Sequence, residues 1–108
     1  MKPLSALQQT ILQLAWDDPA LTACAWMVRS RFYHFPIARN GRWSHSVRFN
    51  RREIGVGRYT MASAAITVSF QRLVGRGLAT EIAGAAGIRL TRAGVIAAIS
   101  ITKEQHHD

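Results

Sequence analysis

Val68-Ser69-Phe70-Gln71-Arg72-Leu73-Val74-Gly75-Arg76-Gly77-Leu78, and then Ile88-Arg89-Leu90-Thr91-Arg92-Ala93-Gly94, is the part of this 108-residue sequence whose reading decides the fold. The run that leads into it, residues 59–77, fits two periods. As a helix it gathers Tyr59, Ala62, Ile66, Phe70, Leu73 and Val74 on one side. As a strand it alternates Ile66, Val68 and Phe70 with Thr67, Ser69 and Gln71, and the β-branched trio Ile66-Thr67-Val68 leans that way. Length and ending decide for the helix. The run has no turn signal and is long for a strand. Gly75-Arg76-Gly77-Leu78 also has the form of a helix C-cap, with Gly77 in the left-handed position and Leu78 folded back onto the helix.

Working outward, 78–90 reads as a β-hairpin: an apolar run at 78–82, the small-residue turn Ala83-Gly84-Ala85-Ala86-Gly87, and a short strand at 88–90. Thr91 is placed to cap a last helix over 91–102, with Val95, Ile96 and Ile99 on one side. Towards the N-terminus, Leu4, Leu7, Ile11 and Leu14 recur at helical spacing, so 4–16 is expected to be an amphipathic helix. Ser5 and Gln8 carry its capping-box signature, and Asp17-Asp18-Pro19 stops it. A second helix is expected over 21–34, from the spacing of Leu21, Cys24, Ala25, Val28 and Phe32, with Pro36 ending it. Within the basic segment 37–58, residues 37–50 show no clear period; Asn40-Gly41 signals a turn, and Trp43, Val47 and Phe49 alternate as a short strand does. The fold class is therefore mainly α with a small β-hairpin, an α+β domain over 1–108.

Charge is the outlying property. Fourteen basic residues, twelve of them arginine, face six acids and give a net +8. Eight arginines (29, 31, 39, 42, 48, 51, 52 and 58) lie between 29 and 58 with Glu53 as the one acid, so +7 of the total falls in thirty residues. Such a concentration predicts attraction to polyanions, nucleic acid first among them. An anionic membrane ranks last, because the arginines lie in an aperiodic segment rather than on one face of a helix, and no run is long and apolar enough to span a bilayer. A lone cysteine, Cys24, excludes an internal disulfide, and no signal-like apolar stretch follows Lys2, so the expected compartment is the cytoplasm. No metal-ligand spacing, phosphate-binding glycine loop or nucleophile motif is present, so neither an enzyme nor a cofactor is expected. Trp16 and Trp26 fall on expected helices and read as core or subunit interface. Trp43, between Arg42 and His45, is the one tryptophan retained as a nucleic-acid candidate.

The helix ending Leu73-Val74-Gly75-Arg76-Gly77-Leu78, the hairpin, and then Leu90-Thr91-Arg92-Ala93-Gly94 together resemble the C-terminal half of the winged helix-turn-helix domain of MarR-type transcription regulators. The opening Leu4-Ser5-Ala6-Leu7-Gln8 is similar to the first helix of such domains, and the likeness extends over about 4–16 and 59–98. It implies that 59–77 is a recognition helix lying in the major groove of double-stranded DNA, that 78–90 is the wing, and that the chain acts as a homodimeric regulator through its terminal helices. The residues it points to on the helix are Ser63, Ala64, Thr67, Val68, Gln71 and Arg72, with Arg89 on the wing. Arg48, Arg51, Arg52 and Arg58 would supply phosphate contacts. Two departures stand out: Val68 occupies a position where the family often has arginine, and the wing tip is uncharged. Both favour the alternative, a winged-helix adaptor that binds a protein or RNA without reading DNA sequence.

Overall fold

A computed structural model describes residues 3–43, 46–84 and 86–105. The order of elements is α1 (Ala6–Asp17), β1 (Thr22–Cys24), α2 (Ala25–Arg31), β2 (Ile37–Trp43), β3 (Ser46–Phe49), α3 (Arg51–Ile54), α4 (Val56–Gly75), β4 (Ala79–Glu81), β5 (Gly87–Leu90) and α5 (Arg92–Gln105). Among the described residues these make five helices, a three-stranded antiparallel sheet in the order β1-β5-β4, and a separate β2–β3 hairpin. The class is α+β.

The ambiguous run is helical, and α4 begins a turn earlier than expected, at Val56 rather than 59. Ile66 and Leu73 are buried with Phe70 beside them, so one helical face meets the core while Thr67, Val68 and Gln71 face outward. Burying β-branched Ile66 against α1 and the sheet outweighs its strand propensity, because packing rather than intrinsic preference sets most helical stability. The end of α4 follows the Schellman pattern. Leu78 N–H donates to the Leu73 carbonyl at 3.0 Å, Gly77 N–H donates to the Val74 carbonyl at 3.0 Å, and Gly77 has φ +75°. The turn leads straight into β4 and so aims the hairpin.

At the N-terminus of α1 the capping box is complete: Gln8 N–H donates to Ser5 Oγ at 3.1 Å, and Ser5 N–H donates to Gln8 Oε1 at 2.9 Å. The expected second helix over 21–34 is shorter, because Thr22–Cys24 forms β1. Leu21 takes a left-handed φ of 59°, which a continuing helix cannot accommodate. The Asp18 carboxylate accepts from Ala20 N–H, Thr22 N–H and Thr22 Oγ1, turning the chain into the sheet. β1 then pairs with β5 in the register Thr22↔Arg89, Ala23↔Ile88, Cys24↔Gly87. The basic segment 37–58, with no clear period over 37–50, holds the β2–β3 hairpin, the short α3 and the start of α4. Asn50 caps α3 by accepting from Arg52 and Glu53 N–H.

Ile11, Leu12, Val28, Ile66, Leu73 and Ile88 are the largest fully buried side chains and come from α1, α2, α4 and β5, so one core unites the helices and the three-stranded sheet. In α5 the buried positions are Gly94, Ala98 and Ile101, while Ile96, expected beside Val95 and Ile99, is 60% exposed. Gly94 sets this phase: a Cβ there would collide with the Leu78 carbonyl. A second, smaller cluster of Phe35, Ile54 and Ala62, flanked by Tyr33, Phe49 and Tyr59, ties the hairpin and α3 to the first half of α4.

Candidate nucleic-acid interface

The outward face of α4 carries Ala64, Thr67, Val68, Gln71 and Arg72, all exposed and recurring at three- and four-residue spacing. Val68 is 41% exposed, a large apolar side chain left in solvent. Thr67 Oγ1 donates to the Ser63 carbonyl at 3.1 Å, so its hydroxyl proton is engaged and its lone pairs face outward. Ser63 is different. It is half-buried, and its hydroxyl accepts a 3.1 Å bond from Arg29 Nε, so it positions an arginine rather than presenting itself to a ligand.

Thr67 and Gln71 line a cleft of about 280 Å³ between α4, α2 and the β4–β5 hairpin. Phe70 and Ile88 add its apolar lining, and Arg29 and Glu81 its charges. The hairpin's turn is tethered to α2, since Ala25 N–H donates to the Ala86 carbonyl at 2.9 Å. Ala85, at the uncharged tip, lies outside the described residues.

Arg89, expected to join α4 in one surface, is not brought to it. Ile88 and Leu90 on either side point into the core against which α4 packs, so Arg89 projects from the other face of the sheet, between Thr22 and Thr80 in register. Glu81 pairs with Ile88 in the β4–β5 register.

Three arginines, Arg29 and Arg51 before α4 and Arg58 in its first turn, sit on aromatic rings. Tyr33 stacks on Phe35 with centroids 5.5 Å apart, and Phe35 stacks on Tyr59 at 6.1 Å. The guanidinium carbons of Arg29 and Arg51 each lie 5.0 Å from the Tyr59 centroid, and that of Arg58 lies 5.4 Å from the Phe35 centroid. Arg52 is exposed on α3. Arg48 and Trp43 belong to β3 and β2 by backbone, but their side chains, like His45, lie outside the described residues. Arg29 was not among the expected contacts. It reaches the site from α2 by way of Ser63, thirty-four residues on, and no local pattern announces that contact.

Two groups with shifted titration lie at the ends of the turn and strand that lead into α2. The bonds from Thr22, side chain first, hold the Asp18 carboxyl below its ordinary pKa. Burial, helped by the Asp18 charge, pushes the Cys24 thiol up, which keeps it protonated at neutral pH. Among the described residues no group of three or more His, Cys, Asp or Glu side chains is placed to hold a metal ion, and no helix is long and apolar enough to cross a membrane. In comparisons with known proteins, no family model, curated protein or solved structure matches this chain.

Proposed function

We propose that this chain is a transcriptional regulator that binds double-stranded DNA through a winged helix-turn-helix, with α4 in the major groove and the arginines near its start on flanking phosphates. The succession α1, β1, α2, β2, β3, α3, α4, β4, β5, α5, with sheet order β1-β5-β4, supports this reading, because a β-hairpin follows directly on α4 as the wing follows the recognition helix in such domains, with β2–β3 an added hairpin before α3. The observation that carries it is a division along one helix. Guanidinium groups crowd around its first half, while its second half exposes Thr67, Val68 and Gln71. Phosphate contacts fix register and base-edge contacts specify sequence, so such a helix holds both components of DNA recognition. Gln71 suits an adenine edge and Val68 a thymine methyl.

The regulator works as a homodimer in the cytoplasm on this reading. Because α1 and α5 pack on each other, only their outer surfaces remain for a partner, among them Ile96 and the 37% exposed Trp16. A gel-shift titration with a short duplex at about 50 and about 200 mM salt tests the reading, since each neutralised phosphate adds about 0.9 to the log–log slope. Binding at low salt that weakens steeply at high salt is expected, and no binding even at low salt refutes it.

One observation favours the runner-up, an adaptor for protein or RNA: Glu81 places a carboxylate in the cleft that Thr67 and Gln71 line. An adaptor retains its partner when Thr67 and Gln71 are changed to alanine and shows no preference among duplex sequences.

A further inference from the structure

Arg29, Arg51 and Arg58 come from three helices, α2, α3 and α4, and converge on two stacked rings, Tyr59 and Phe35. Among the described residues none of the three is in an ion pair. Two guanidinium groups therefore share the Tyr59 ring with no carboxylate of the described residues in direct contact with either. A guanidinium lying against an aromatic ring keeps its N–H edge free for oxygen ligands, and the contact restricts the side chain before any ligand arrives. Arg29 is held further. Its Nε donates to Ser63 Oγ, which leaves its two terminal nitrogens for an incoming acceptor.

We propose that Arg29, Arg51 and Arg58 are a preformed phosphate clamp, with Tyr59 and Phe35 as its floor and Ser63 as the anchor of Arg29. A tetrahedral phosphate offers oxygens in several directions and suits donors arriving from three elements better than a planar carboxylate does. The proposal rests on the DNA reading only for the source of the phosphate, which is a backbone phosphodiester if that reading holds and a free phosphate compound if it does not. In a duplex complex the clamp fixes α4 along its axis, which decides which bases Thr67 and Gln71 reach.

The test follows arginine Nε–H signals of the full chain by nuclear magnetic resonance during titration with inorganic pyrophosphate and, separately, with a short duplex. The Arg29 signal, slowed in exchange by its bond to Ser63, is expected to move in both titrations. Arg29→Ala is expected to weaken duplex binding about tenfold and to lower the salt slope by about one. Tyr59→Leu, which keeps every charge but removes the ring, is expected to weaken it about three- to tenfold, with Tyr59→Phe retaining affinity. Circular dichroism melting confirms that each variant is folded. If pyrophosphate moves Arg29 and no duplex binds, the clamp stands and the DNA reading falls. If duplex binds equally well to wild type, Arg29→Ala and Tyr59→Leu, the clamp is overturned and the DNA reading stands. An Arg29 signal unmoved in both titrations also overturns the clamp.

Discussion

Glu81 and Gln71 share one cleft, where a carboxylate that repels a polyanion lies beside a neutral amide that can hydrogen-bond one. A carboxylate beside a phosphate-lined groove repels it, by an amount that grows as salt falls. Changing Glu81→Gln keeps size and removes charge, so the variant is expected to bind duplex DNA a few-fold more tightly at low salt, with the gain fading as salt rises. A gel-shift series across salt concentrations reads this directly, and unchanged or weaker binding speaks for the adaptor. Asp18 offers a separate test on the folding side. Its carboxyl titrates lower in the fold than in the unfolded chain because Thr22 donates to its charged form. Its stabilising contribution is therefore fully present above the unfolded pKa of about 3.9 and is lost as pH falls through the lower folded value. Asp18→Ala is expected to melt below the wild type at about pH 7, with the gap narrowing towards about pH 3. A gap that does not change with pH contradicts this account of the Asp18 turn.

At the scale of elements, the junction between α4, the hairpin and α5 has the tightest tolerance. Gly77 ends α4 in the left-handed region, Leu78 starts the chain towards β4, and the Leu78 carbonyl accepts from Thr91 N–H at 3.1 Å while abutting Gly94. Adding a methyl at Gly94 forces α5 off the hairpin. Gly94→Ala is therefore expected to cost about 1–3 kcal/mol, read as a lower midpoint in urea. A variant as stable as the wild type contradicts the packing described. This junction was also the most legible part of the chain, because glycine, proline and capping residues act through local backbone geometry that sequence displays directly. The core face of α4 was legible for a related reason: Ile66, Phe70 and Leu73 repeat at helical spacing over several turns. β1 was not. Thr22-Ala23-Cys24 is too short to show a two-residue period, and Leu21, Cys24 and Val28 also satisfy a helical one, so only pairing with β5 distinguishes them. The phase of α5 failed similarly, since Ile96 is apolar by sequence and the collision at Gly94 turns it outward. Of the candidate site, the exposed stripe on α4 followed from the helix itself. Arg29 and the separation of Arg89 from α4 did not, because both depend on contacts between distant elements.

For the molecule as a whole, the fold gives the concentrated charge an address. The +7 carried between 29 and 58 belongs to α2, the β2–β3 hairpin, α3 and the first turn of α4, and the aromatic cluster of Tyr33, Phe35, Phe49 and Tyr59 gathers these elements against α4. The second half of α4 adds one arginine, Arg72, to an otherwise neutral exposed face. On the proposed reading, one region holds a nucleic acid by its backbone and another discriminates among sequences. The central claim is the discrimination, and selection of bound sequences from random duplex DNA tests it most directly. The wild-type chain is expected to enrich a defined motif, and Gln71→Ala is expected to enrich a motif relaxed at about one position. A wild-type pool that stays random after repeated rounds, although duplex is retained at low salt, contradicts sequence reading by α4.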